Sequence, residues 1–356
     1  MSQQYDKMQM LKNDAPDDTE FLASLPLNPE YTDGARNAIR TCLAVQPGEV
    51  TTLITDRHTG PVAASLLNEL NEVGAASRVI VLENVARRPM PRMPFEVLQH
   101  VADSTVTIGC FQPQENEIGS RRDLIDLVER QGIRYAHMVW ITDEIMRQGM
   151  RANYHEVDAL SDRVLTHLRP AQFVTVRSAA GTDIRARFEP SMQWVKTSGL
   201  INREYWSNLP AGEVFTTPAT VDGVFVVDGT VGDYLCPKYG DLSGHPLTLE
   251  IQDGRLHDAH CANRDLLRDF TDYCHEERNG DRIGEFALGT NIAVTRMIGN
   301  LLQDEKVPGV HIAFGNPYGS QTGARWTCGS HIDAITRDCD VWAGDHQIMA
   351  AGHFLV

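Results

Sequence analysis

Three consecutive segments restrict the architecture more than anything else in the chain. VTTLITD (Val50–Asp56) is an apolar run, PVAASLLNELNEVG (Pro61–Gly74) has helical spacing closed by Gly, and SRVIVLE (Ser77–Glu83) is a second apolar run. Strand, helix and strand with short joins form a parallel crossover, a unit whose hand is right. The pattern continues with a helix near Phe95–Val101, a strand over Ser104–Cys110, a helix over Ser120–Gln131 and a strand over Arg134–Thr142. Upstream, Ala35–Val45 has helical spacing that Pro47-Gly48-Glu49 breaks. The expectation is α/β: a polar, flexible arm over 1–20, then a three-layer parallel-sheet domain over 21–168 that ends in a helix over Tyr154–Leu168.

After Pro170 the texture changes. FVTVRSAAGTDIRARF (Phe173–Phe188) reads as two alternating runs around an Ala-Gly turn, an antiparallel hairpin. Strand-like pieces follow at Val214–Thr217, Gly223–Asp228, Leu247–Gln252, Gly309–Phe314 and Val341–Trp342, punctuated by glycines. Helices are expected over Asn263–Glu277 and Asn291–Leu302. The second domain, 169–356, is therefore expected to be β-rich α+β. Two cores suit 356 residues, since one core rarely grows past about 250–300.

A formal net charge of −16 argues against a nucleic-acid footprint. No run of eighteen apolar residues and no N-terminal apolar run behind a basic segment occurs, so a cytoplasmic location is expected. The seven cysteines have no disulfide-like or CxxC spacing and read as small buried hydrophobes, with Cys328, three residues before His331, able to line a site. No GxGxxG or GxxxxGK follows the first strand, which leaves a dinucleotide or P-loop site without support. The loop bearing Arg87, Arg88 and Arg92 reads as a solvated basic patch, or else as a carboxylate or subunit contact.

Chemistry concentrates in the last third. In Ser330-His331-Ile332-Asp333 the strand period of two turns His331 and Asp333 to one face and Ile332 to the other. An imidazole and a carboxylate so fixed suit zinc, iron(II), cobalt or manganese, although a plain His–Asp hydrogen-bonded pair has the same spacing. Glu213 in NLPAGEVFTTP and Glu285 in RIGEFALG sit among apolar and Gly residues, where a carboxylate needs a cation or donor to offset desolvation. His311 and Tyr318 lie in HIAFGNPY; the phenol is a cation ligand or an oxyanion donor, or simply a packed ring. His257, His260 and His275 are read as surface or supporting residues.

The strings NLPAGEVFTTP, RIGEFALGTN, HIAFGNPYG and SHIDAITRDCDVW resemble the metal-binding blocks of the dimetal aminopeptidases known as aminopeptidase T-like or M29 peptidases. The resemblance implies two divalent ions (Zn, Co or Mn) held by Glu213, Glu285, His311, Tyr318, His331 and Asp333, and a homodimer. A sister group, the 2,5-dihydroxypyridine 5,6-dioxygenases, is similar through TVRSAAGTDI, LTLEIQDGRL and the closing HID…RDCD. It implies one Fe(II) on two His and one Asp, but Glu285 stands where one of those imidazoles falls. This chain also has Gly212 where the peptidases commonly place a second acidic residue. The reading that follows is hydrolysis of an amide bond of a small molecule or short peptide by metal-bound hydroxide, with Glu213 and Tyr318 catalytic. Its rivals are an iron(II) ring-cleaving dioxygenase and a metal-stabilised binding protein without catalysis.

Overall fold

The computed structural model describes residues 17–204 and 206–356, and its mixed α/β elements fall into two compact units. The first unit ends at Arg151 and also takes in Leu200–Leu209. The second comprises Ala152–Gly199 and Pro210–Val356. The division thus precedes the helix Tyr154–Leu168, which belongs with the second unit and not, as its place in the chain suggested, with the first. Most of the expected arm lies outside the described residues; Thr19 and Glu20 already open a short helix, Thr19–Ala23.

The first unit holds β1 (Val50–Thr55), α1 (Gly60–Val73), β2 (Ala76–Val81), α2 (Phe95–Ala102), β3 (Val106–Cys110), α3 (Ile118–Gln131) and β4 (Arg134–His137). Its sheet runs β2-β1-β3-β4 and then Ser207–Asn208, every pairing parallel. β3 is buried throughout, as a strand covered on both faces must be. Ala35–Val45 is helical as far as Cys42, an α-helix over Thr32–Arg36 running into a π-helix over Asn37–Cys42. One local expectation fails. The fourth strand stops at His137, because Trp140 at φ +69° turns the chain before Thr142.

The second unit begins with α4 (Tyr154–Leu168), which Asn153 caps through its side chain. Two antiparallel sheets follow. One holds β5 (Phe173–Ser178) and β6 (Asp183–Arg187), the expected hairpin, within eight strands. The other contains β7 (Val195–Thr197), β8 (Glu213–Thr216), β9 (Ile283–Gly289), β10 (Gly309–Gly315) and β11 (His331–Thr336), in the order β11-β10-β9-β8-β7. Phe286, Leu288, Val310, Ile312, Phe314 and Ile332 from this sheet share one core with Val174, Val176 and Ile184 of the larger sheet and Val164 of α4. The expected helix over Asn291–Leu302 is reduced to Leu301–Asp304. Asp304 explains the loss: its carboxylate accepts from the backbone N–H groups of Ile298, Gly299 and Asn300, holding that stretch as a turn. Among the described residues no helix is long and apolar enough to cross a membrane.

Candidate metal centre

The five-stranded sheet brings five of the six candidate side chains to one face by register. Glu213 pairs with Gly289, Ala287 with His311, Glu285 with Ala313, Ala313 with Asp333, and Gly315 with His331. Paired residues on adjacent strands share a face, so Glu213, Glu285, His311, His331 and Asp333 project together from β8, β9, β10 and β11. Four of the positions opposite them, Ala287, Gly289, Ala313 and Gly315, are Ala or Gly, which leaves room over the sheet for carboxylates and imidazoles, while Thr197 and Ile335 stand opposite Glu213 and His311 on their other sides. At Gly289 a Cβ would come 2.0 Å from the Val307 carbonyl oxygen, and at Gly315 2.3 Å from that of Ser330, so neither tolerates a side chain. A bulge at the start of β9, between Ile283 and Glu285, turns Glu285 to this face while Ile283 stays in the core.

Glu285 stands at the centre. Its Oε1 lies 3.4 Å from His311 Nε2 and its Oε2 3.8 Å from His331 Nε2. His331 Nε2 is also 3.4 Å from Asp333 Oδ1, and His311 Nε2 is 3.6 Å from Glu213 Oε2. Ligand atoms of Glu213, Glu285 and His311 all fall within 4.8 Å of one another. His331 Nδ1 donates to the Asn316 carbonyl at 3.2 Å, which fixes the ring and directs Nε2 at the carboxylates. Such an outer hydrogen bond is what orients a metal-binding imidazole.

Tyr318 follows β10 at φ +48°, its ring 4.9 Å from that of His331 and 5.8 Å from that of Phe215. The residue is 36% exposed. Burial of its phenol, and then the carboxylates Glu285 and Asp333, hold the hydroxyl well above its usual pKa, so it stays a neutral donor.

Three residues that sequence reasoning missed complete the surroundings. Lys306 is 1% exposed, and its ammonium lies 2.7 Å from Glu213 Oε1 and 2.5 Å from Glu305 Oε1. Thr197 Oγ1 donates to the same Glu213 Oε1 at 2.9 Å. In LLQDEKVPGV the pair Glu305-Lys306 looks like a solvated charge run; the one available signal was its place directly before the buried strand GVHIAFG. Glu285 is raised by burial, and burial likewise raises Glu305 against the pull of Lys306. Burial alone would lower His331, but Asp333, Glu285 and the Asn316 carbonyl together outweigh it and move the imidazole up to about 10. Buried carboxylates outnumber the fixed cation, and they raise both imidazoles above their ordinary value. That donor set, carboxylates and imidazoles without thiolate, fits a hard or borderline divalent ion.

The remaining singled-out residues lie elsewhere. His260 is exposed beside Glu250 and Asp258, His275 bonds to its own helix through the Thr271 carbonyl, and Cys328 contacts Ser330 rather than the cluster. Arg88 corrects the reading of a solvated basic loop: its side chain is 4% exposed and pairs with Asp56 and Glu117, whereas Arg92 stays at the surface with Asp123.

The buried carboxylate–imidazole cluster is a candidate site for a divalent ion, the mark of a metal-dependent enzyme. The family described as thermophilic metalloprotease (M29) matches residues 129–327, more than half of the chain, and the chain belongs to it. The matched span includes Glu213, Glu285, His311 and Tyr318 and stops before His331 and Asp333. Among curated proteins, a 2,5-dihydroxypyridine 5,6-dioxygenase of Pseudomonas putida KT2440 is 24% identical over 196 residues, 52% of this chain and 55% of that protein. The chain thus spans about half the length of the curated relative it matches. Among solved structures, a 2,5-dihydroxypyridine dioxygenase of the same organism has a TM-score of 0.68 at 15% identity, covering 93% of this chain and 99% of the other. Wild-type AmpT from Thermus thermophilus has a TM-score of 0.67 at 16% identity, covering 92% and 99%. At such identities the structures establish a shared fold.

Proposed function

We propose that the protein is a metal-dependent hydrolase cleaving an amide bond of a small substrate, most simply at the free amino end of a short peptide. The observation that carries this reading is Glu285, a carboxylate set between two imidazoles with an oxygen toward each. A carboxylate there, where the dioxygenase resemblance implies one of two imidazoles, suits Lewis-acid hydrolysis better than oxygen activation by one iron. Glu285, His311, His331 and Asp333 would hold the ion, with Glu213 Oε2 beside it and Zn, Co or Mn the best match. Bound there, it supplies polarisation of a carbonyl oxygen and acidification of water.

The chain's own groups do the rest. Glu213 is tied at Oε1 by Lys306 and Thr197 and presents Oε2 to the cluster, placed to take a proton from the attacking water and hand it to the leaving amine. Tyr318 keeps its proton and donates to the oxygen that becomes negative as the carbonyl is attacked. A homodimer in the cytoplasm belongs to the same proposal.

The second reading, a ring-cleaving iron(II) dioxygenase acting on a dihydroxypyridine-like compound, draws on the 24% identical relative. Assays on amino-acyl amides with Zn-, Co- or Mn-loaded protein, alongside oxygen uptake with the Fe(II)-loaded protein and a dihydroxypyridine, separate the two. Amide hydrolysis without oxygen uptake supports the hydrolase; oxygen consumption with ring cleavage overturns it.

A further inference from the structure

We propose that Lys306 is itself one of the two cations of this acidic cluster, so that the protein binds a single divalent ion where two were expected. The inference rests on the metal-binding reading above and concerns how many ions that cluster accepts.

Geometry carries it. The Lys306 ammonium bridges two carboxylates, 2.7 Å from Glu213 Oε1 and 2.5 Å from Glu305 Oε1, in the manner of a cation shared between two acidic ligands. It is almost wholly buried, and both partners are largely buried too, with side chains 10% and 12% exposed. An ammonium in such a place cannot be a solvated surface charge, and removing it would leave two like charges facing each other in a low-dielectric interior. Thr197 occupies Glu213 Oε1 a second time, so that oxygen is committed to the protein. What Glu213 offers an exogenous ion is Oε2 alone, on the side of His311 and Glu285.

The cluster therefore has two cation positions of different kind. One lies between Glu213 and Glu305 and is filled by a side chain tethered to the backbone just ahead of β10. The other is faced by Glu213 Oε2, Glu285, His311, His331 and Asp333 and takes a divalent ion. A second ion would have to displace Lys306 or lie beside its ammonium, where like-charge repulsion opposes it. Lys306 also holds Glu213 to one available oxygen.

Equilibrium dialysis against manganese(II), with bound metal counted by elemental analysis and its EPR spectrum recorded, tests the proposal without any activity assay. The expected result is one equivalent per wild-type chain with the signal of an isolated ion, and two equivalents with exchange coupling in Lys306→Met. Lys306→Arg is expected to stay at one. Glu305→Gln, which keeps the shape and leaves Lys306 in place, should weaken binding about tenfold without changing the count. Two equivalents in the wild type overturn the inference while leaving the metal-binding reading intact, and so does a folded Lys306→Met that still binds one. If Lys306→Met does not fold, the wild-type count and Glu305→Gln decide: loss of the ion in Glu305→Gln would make Glu305 a ligand and contradict the proposal. No binding to any form removes the metal reading and this inference with it.

Discussion

Each unit buries charge, and the Arg88 network of the first does it in the opposite way to Glu285 and Asp333 of the second. In the first, Arg88 sits among Asp56 and Glu117 with every carboxylate oxygen doubly matched. Asp56 Oδ1 accepts from the backbone and hydroxyl of Thr59, and Oδ2 from Arg88 and the Gln112 N–H. Glu117 Oε1 accepts from Arg88 Nε and the Met90 N–H, and Oε2 from Arg88 Nη2 and the Gln114 N–H. In the second, the donors facing Glu285 and Asp333 are imidazole nitrogens at 3.4–3.8 Å, too long for strong hydrogen bonds. A buried carboxylate saturated by fixed donors serves the fold. One left with unmet lone pairs on a rigid sheet is set to receive a cation.

The largest expected effect tests the saturated network. Arg88→Met strands two carboxylates that are 2% and 3% exposed and should cost about 3–5 kcal/mol by urea unfolding, with metal affinity of the remaining folded protein unchanged. A loss below about 1 kcal/mol would make Arg88 no more than a surface charge. Next, Tyr318→Phe should keep the metal and lower turnover about 100-fold, as expected on deleting one donor to a developing oxyanion. Equal loss of metal would instead make the phenol a ligand.

The same isosteric change should have opposite signs in the two regions. Glu285→Gln removes a buried carboxylate that burial raises and that only long imidazole contacts offset, so the metal-free protein should gain on the order of 1 kcal/mol while metal affinity collapses. Glu117→Gln should lose stability and leave the metal untouched. Destabilisation by both would erase the distinction.

The smallest effect is with pH. Burial alone would raise Glu117, but Arg88 and the N–H groups of Gln114 and Met90 hold it below its ordinary value. Its contribution is therefore complete above the unfolded carboxylate range and lost as pH falls through the folded value. His137, pushed down to about 3 by burial and then by Arg121, refuses the proton that the unfolded chain accepts below about 6.5. Both erode the first unit in acid. His137→Gln should flatten the slope of stability between pH 6.5 and 5, worth on the order of 1 kcal/mol per unit.

How far the sequence disclosed this depended on the range of the signal. The parallel crossover of β1, α1 and β2 was readable because period and short joins are local properties, and so was the shared face of His331 and Asp333. That Glu213, Glu285 and His311 lie on that face too is a matter of inter-strand register, which motif resemblance suggested and periodicity alone cannot supply. Arg88 and Lys306 were missed for one reason. Inside ARRPMPR and DEK, a buried charge with distant partners looks the same as a solvated one, since Arg88 meets Asp56 32 positions away. The lost helix over Asn291–Leu302 came from a side chain, Asp304, competing for backbone N–H groups just outside the window in which the helical spacing was seen.

The central claim is that the unsatisfied face of the five-stranded sheet binds a divalent cation. Crystals equilibrated with zinc or manganese and measured on both sides of the metal absorption edge test it directly. The account predicts an anomalous peak within bonding distance of Glu285 and His311 or His331, abolished in His331→Ala. A flat map there, with these side chains ordered and the metal in excess, would contradict it.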